Sequence, residues 1–353
     1  MSSSPRPIRI AIDCMGGDTA PEVVFQGISL CAKELGPISL QLYGVQAAIE
    51  PLVEEIKKDT ACKDLFIEVI LADDVVTSDM KPKVAVRSHR ASSMGLAVMA
   101  VREKRADAVL SAGNTGAFMA FSKIMLGTLK GIDRPAIATF LPTSKGQSLV
   151  LDLGANAECS GRNLVEFSFM GEALTQACLG ISAPSIGLLN IGSENTKGNR
   201  IVQEAAEILT KTDLLKNYIG FVEGTDIMAG TVDVVVTDGF TGNVALKTIE
   251  GSMRFVKEQV GRAVKKSIGT RISAFILYRT LKKAFTRFDP RIYNGAVLLG
   301  LNALAVKSHG NVDAFSFAHA LKFTVNVARQ DLLTHVKTYV DRWASTEEGT
   351  SRE

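Results

Sequence analysis

Short apolar runs alternate along the chain with glycine-bearing polar loops, and the stretches between them carry apolar residues at helical spacing. Ile8–Asp13 predicts a first strand, followed by the loop Cys14–Asp18 and a helix that Pro21 and Glu22 open and that runs to about Leu35. Ile38–Tyr43 and Phe66–Leu71 predict strands with a helix, Gln46–Lys58, between them. Ala91–Arg105 places Met94, Ala97, Val98 and Val101 on one helical face; Asp107–Leu110 predicts a strand and Ala117–Leu129 a helix. Pro135–Leu141 and Gln147–Leu151 read as neighbouring strands, suited to a hairpin. Then come a helix at about Asn163–Leu179, a strand at Ser185–Leu189, a helix at Arg200–Thr210, and strands near Ile219–Val222 and Val232–Val236. A helix opening after Asp238 runs towards Arg262, and Leu277–Phe288 predicts another. Leu298–Val306 reads as one apolar strand or buried helix, Asp313–Trp343 as helical, and residues 344–353 as a polar disordered tail.

Strands alternating with helices this regularly imply an α/β fold: a three-layer α/β/α sandwich around a mostly parallel, Rossmann-like sheet. No tandem repeat, low-complexity linker or compositional break divides the chain, so residues 1–343 are expected to form one domain.

Composition narrows the class. The 46% hydrophobic and 22% charged content of these 353 residues is ordinary for a globular protein. Five widely spaced cysteines argue against a disulfide framework and for a reducing compartment. The N-terminus lacks a secretory apolar core, and no run reaches the roughly 18 apolar residues of a membrane span. A cytoplasmic protein is expected. The net charge of +3 is unevenly placed: residues 259–288 hold eight basic residues and no acidic one, and subtracting them leaves the rest at −5.

Six loops carry the candidate chemistry: Gly16–Asp18, Ser111–Gly116, Asp152–Asn156, Asn190–Asn199, Asp238–Asn243 and Lys307–Gly310. Each joins glycine with Asn, Asp, Ser, Thr or Lys, and in such sheets ligands bind outside the carboxyl ends of the strands. Asn190–Asn199 (NIGSENTKGN) also holds a lysine, so backbone N–H groups and one ammonium can face a phosphate. One such loop is equally well an ordinary turn; six at one end of a sheet would make a large polar site. No dinucleotide fingerprint, P-loop, nucleophile elbow or zinc helix motif occurs. No pattern among the four histidines supports a metal, and only His309 lies in a glycine-containing loop.

In this order and near these spacings, the motifs MGGD, SAGNTGA, LDLGAN, NIG-x-E-x-x-KGN, VVVTDGFTGNV and LLGLN…KSHG resemble the bacterial phosphate acyltransferases, the PlsX family, over roughly Ile8–Ala328. Ser193 stands where that family usually has a glutamate. The resemblance implies a homodimer whose fold is similar to isopropylmalate dehydrogenase and phosphotransacetylase. It implies attack of inorganic phosphate on a long-chain acyl-acyl-carrier-protein thioester, with no cofactor. The acyl-phosphate would serve phospholipid synthesis through a membrane glycerol-3-phosphate acyltransferase. Such chemistry needs positioning and oxyanion stabilisation rather than an enzyme nucleophile. Lys197 and Asn243 are the candidate catalytic residues. Gly16, Gly17, Asp18, Gly113, Asn114, Thr115, Asn156, Asp238, Gly242 and His309 are candidates for phosphate or substrate binding, Asp18 and Asp238 with capping as an equal reading.

On a helical wheel of Leu277–Phe288, Leu277, Leu281, Phe285 and Phe288 share an arc of about 120° opposite Arg279, Lys282, Lys283 and Arg287. That suits a helix lying on an anionic membrane surface or handling acyl chains, packing within the protein, or docking of an acidic carrier protein. With one Trp and five Tyr, one basic helix does not make a nucleic-acid surface. Rival readings are a short-chain phosphotransacetylase acting on acyl-CoA and a catalytically inert membrane-binding scaffold.

Overall fold

In the computed structural model, residues 6–212, 215–269, 274, 275, 277, 279 and 289–350 are described. Eleven strands form one sheet: β1 (Arg9–Asp13), β2 (Ile38–Gly44), β3 (Leu65–Leu71), β4 (Ala108–Ser111), β5 (Ala136–Thr143), β6 (Gly146–Leu151), β7 (Ile186–Leu189), β8 (Tyr218–Val222), β9 (Val234–Val236), β10 (Ala296–Leu299) and β11 (Leu304–Lys307). Their spatial order is β3-β2-β1-β4-β11-β10-β5-β6-β9-β7-β8.

Strict alternation builds two cores. Ile10, Ile12, Leu110 and Val306 point to one face, and Ala11, Val109 and Ala305 to the other. The first face is covered by α1 (Glu22–Leu35), α2 (Gln46–Lys58), α6 (Gly161–Leu179), α7 (Arg200–Lys211), α10 (Ala314–Arg329) and α11 (Leu332–Thr350), through residues such as Ile28, Phe167 and Phe317. The second is covered by α3 (Pro82–Ser88), α4 (Ser93–Arg102), α5 (Thr115–Leu126), α8 (Gly224–Ala229) and the first turns of α9 (Gly239–Lys265), through Val86, Val98, Phe118 and Ile227. This is the expected three-layer sandwich.

Most strand pairs are parallel, but three consecutive pairings are not: β11 with β10, β10 with β5, and β5 with β6. Three reversals leave β6, β9, β7 and β8 running opposite to β1, β2, β3, β4 and β11. The carboxyl ends of the two sets therefore lie at opposite edges, and the six polar loops do not gather at one end.

Two further sequence readings need correction. The apolar run Leu298–Val306 is two antiparallel strands, because Gly300 (φ +90°) turns the chain and Asn302 holds the turn through the carbonyls of Leu126 and Thr128. The C-terminal helical region is broken at Gln330–Asp331, where Asp331 takes φ +47°, and α11 extends to Thr350. The basic helix expected at Leu277–Phe288 lies largely outside the described residues, as do Leu281, Phe285 and Phe288; Leu277 is about half exposed. α3, led by Pro82, was absent from the sequence reading.

Candidate active site

One trio of loops follows β1, β4 and β11. Asp13, Ser111 and Lys307 stand side by side in register on the three strands, all on the second face. The buried Asp13 carboxylate accepts from Ser93 Oγ (2.6 Å), Ser111 Oγ (2.7 Å) and the Met15 amide (3.3 Å). Lys307 beside it is also buried and donates to the Ser308 carbonyl. Above this row the loops lock together: the Asp18 amide donates to the Gly310 carbonyl at 3.0 Å, and a Cβ on Gly16 would stand 2.5 Å from Gly113 N. Asp18 itself is exposed.

Burial lowers the Lys307 pKa from 10.5 to about 8, with Asp13 and Asp18 opposing. Between about pH 8 and 10.5 the unfolded chain holds a proton that the folded chain has released, so stability should rise with pH through that window. Linkage limits the rise to about 3 kcal/mol. Urea denaturation across the window should show the slope, and Lys307→Met should flatten it.

The second trio follows β6, β9 and β7. Asp152, fully buried at the end of β6, accepts from the backbone amides of Ile137, Gly154, Ala155 and Asn156 and from Asn156 Nδ2, all between 2.8 and 3.2 Å. Asn156 Nδ2 also donates to the Pro135 carbonyl. Asp238 caps α9 by accepting from Thr241 N and Thr241 Oγ1. Glycines seat the helix on the loop: Gly239 N donates to the Asn156 carbonyl, and a Cβ on Gly242 would lie 1.9 Å from the Asp152 carbonyl oxygen. In the third loop, Asn190 Nδ2 and Gln203 Nε2 donate to the Lys197 carbonyl, folding the loop back on the end of β7. The Lys197 side chain is exposed, and no described residue accepts a hydrogen bond from its ammonium.

α9 joins the trios. Asn243, exposed, lies against Gly154, whose added Cβ would meet the Asn243 side chain at 3.6 Å. One turn on, Lys247 Nζ reaches 3.5 Å from Nε2 of His309. Four residues rise about 6 Å along a helix, so the start of α9 carries one polar group to each trio.

The candidates thus divide by their bonding. Asn114 is consumed by structure: its Oδ1 caps α5 through Ala117 N, and its Nδ2 donates to the carbonyls of Thr77, Ser78 and Met80. Asn156 and Asp238 are consumed likewise. Thr115 is exposed at the start of α5. The space beside Gly16, Gly113 and Gly242 is filled by protein backbone or side chains, so these glycines serve loop packing rather than open access; Gly17 (φ +116°) needs its own left-handed backbone. Among the candidates, Lys197, Asn243, Asp18 and Thr115 present side chains that no described residue hydrogen-bonds, and His309 presents Nε2. The sequence reading includes Ser111 and Asp152 in its candidate loops without giving either a role, and does not single out Asp13, Ser93 or Lys247. Ser111 and Asp152 are marked by their glycine-bearing loops, and Lys247 by its spacing four residues after Asn243. No group of described residues could hold a metal ion.

The family model described as "Fatty acid synthesis protein" matches residues 8–335. The phosphate acyltransferase of Rhodospirillum rubrum is 46% identical over 328 residues, 93% of each chain. That of Nitrosococcus oceani is 43% identical over 338 residues, covering 96% of this chain and 98% of its own. Among solved structures, a phosphotransacetylase from Streptococcus pyogenes superposes with a TM-score of 0.59 at 17% identity, covering 92% of this chain and 95% of its own. A phosphotransacetylase from Staphylococcus aureus gives 0.55 at 15% identity, over 92% and 94%. At these identities the structures speak for the fold alone.

Proposed function

The chain belongs to the phosphate acyltransferases, and from that premise we propose that it moves a long-chain acyl group from an acyl-carrier-protein thioester to inorganic phosphate. A phosphate oxygen attacks the thioester carbonyl, the C–S bond breaks, and the carrier leaves as a thiolate that takes its proton from water. A thiol with a pKa near 8.5 needs no enzymatic acid to leave. What remains is to hold phosphate against the carbonyl and to stabilise the oxyanion.

The observation that carries the assignment of roles is that two unengaged N–H donors, Lys197 and Asn243, lie beyond the ends of the neighbouring strands β7 and β9. Lys197 sits in the loop after β7 and Asn243 in the first turns of α9 after the adjacent β9, while Asp152, Asn156 and Asp238 nearby are spent on structure. In this reading Lys197 and Asn243 face the carbonyl oxygen as it becomes an oxyanion, and His309 contributes to the phosphate side.

Phe240, Val244, Phe255 and Val256 are exposed along α9, and a second copy of the chain covering them is the homodimer we propose. No helix among the described residues is long and apolar enough to cross a membrane. We take the protein as cytoplasmic and peripheral, passing its product at the membrane surface to a glycerol-3-phosphate acyltransferase.

Thiol release from palmitoyl-acyl carrier protein, with and without inorganic phosphate and with hydroxylamine as trap, tests the reaction. Phosphate-dependent release with a hydroxamate product is expected. Release indifferent to phosphate would make the protein a thioesterase, and release from acetyl-CoA alone would make it a short-chain enzyme.

A further inference from the structure

Two hydrogen-bond donors meet without an acceptor where α9 passes the first trio. Nδ1 of His309 accepts the backbone N–H of Asn311 at 3.2 Å. A neutral imidazole accepts through one nitrogen only, so Nε2 carries the hydrogen. Burial and the neighbouring Lys247 both lower the His309 pKa, which keeps the ring in this neutral form. The Asn311 amide on Nδ1 sets the ring's orientation, and Asn294 holds the backbone beneath it: Asn294 Oδ1 accepts from His309 N, and Nδ2 donates to Ser308 Oγ and the Ser316 carbonyl. Nε2–H therefore points at Lys247 Nζ, 3.5 Å away.

Lys247 is itself held in place. Glu250, one turn along the same face of α9, accepts from its ammonium at 2.8 Å. An ammonium has three N–H groups, so two stay available after Glu250 is satisfied. The other charges near His309 are Asp18 on the rim and Lys307 below.

We propose that Lys247 and His309 together form the subsite for the acceptor phosphate, one oxyanion oxygen lying between the ammonium and the imidazole N–H. The inference deepens the acyl-transfer reading and rests on it for the identity of the anion. It also orders the reaction in space. Asn243, beside the thioester carbonyl, and Lys247, on phosphate, stand one helical turn apart on the same face of α9, a spacing of about 5–6 Å. That separation lets a phosphate oxygen and a carbonyl carbon lying between them approach to bonding range. Glu250 is a positioning residue, which keeps the lysine over the histidine.

The test varies inorganic phosphate at saturating palmitoyl-acyl carrier protein, then reverses the roles. Lys247→Met should raise the KM for phosphate at least about ten-fold, as loss of a charge-assisted hydrogen bond requires, and leave the KM for the acyl donor within about two-fold. His309→Leu should do the same, while His309→Gln, which still offers an N–H, should recover most of the loss. Lys247 is exposed, so an unchanged melting temperature is expected, and it excludes unfolding as the cause. Calorimetric titration of inorganic phosphate into the full chain without acyl donor should show saturable binding that Lys247→Met abolishes and Lys197→Ala keeps. An unchanged KM for phosphate in Lys247→Met, with normal turnover in the parent, would overturn the subsite alone. A parent that binds phosphate through Lys247 yet forms no hydroxamate would uphold the subsite and overturn the reaction.

Discussion

Lys197→Ala is expected to lower kcat for acyl-phosphate formation by about 10²–10³-fold, the usual cost of one oxyanion-stabilising donor, while the melting temperature stays within about 1 °C. The side chain is exposed and no described residue bonds its ammonium, so its removal leaves nothing buried unpaired. In the proposed role its value lies in what it meets during the reaction. Charge on the thioester oxygen is small in the ground state and nearly full in the tetrahedral intermediate. A donor that serves only the latter changes kcat and kcat/KM together. Asn243→Ala should show the same signature with a smaller loss, since an amide is a neutral donor. If both groups serve one oxygen, the double variant falls short of the product of the two single losses. Lys197→Arg tests geometry, because a planar guanidinium does not reproduce a point-like ammonium. A Lys197→Ala enzyme with unchanged kcat and a raised KM for phosphate would remove the residue from the oxyanion role.

How far the sequence reveals this arrangement depends on which interactions are local. Strand, loop and helix units are local, and alternation such as Ile10 and Ile12 against Ala11 states both faces of the sheet. Caps are also local: Asp238 precedes Thr241 at the spacing a helix start requires. The relative direction of the two halves is not. It turns on a hairpin at Gly300–Asn302 hidden inside an unbroken apolar run, where tertiary contacts from Asn302 to the chain near Leu126 make the reversal. Missing that one turn places six loops at one edge when they lie three and three. Lys247 was missed because it carries no loop signature. A lysine in mid-helix is usually a solvated residue, and only His309, 62 positions away in sequence, gives it a purpose. The aspartates at the ends of β1 and β6 are hidden for a related reason. Their importance lies in how many donors converge on them, and those donors come from several segments.

Asp152→Ala should destabilise the protein by about 3–5 kcal/mol, the range for removing one partner from a buried charged network, with a matching fall in the urea midpoint. Four backbone amides and the Asn156 side chain converge on this carboxylate. Alanine leaves them facing a dry space, and each buried donor left unpaired costs about 1–3 kcal/mol, partly recovered as the loop relaxes. Asp152→Asn is not a conservative repair. Its NH2 would have to face donors, either Ile137, Gly154 and Ala155 on one side or Asn156 on the other, so a loss of about 2 kcal/mol or more is expected. The damage should reach activity at temperatures where the variant is still folded, because α9 sits on this loop: Gly239 N bonds the Asn156 carbonyl, and Gly242 packs on the Asp152 carbonyl oxygen. Loosening that seat moves Asn243 and Lys247 together, and an error of about 1 Å in positioning is enough to cost about 10²-fold in rate. A variant with near-parent stability and full turnover would mean that neighbouring donors find other acceptors, and that the helix is anchored elsewhere.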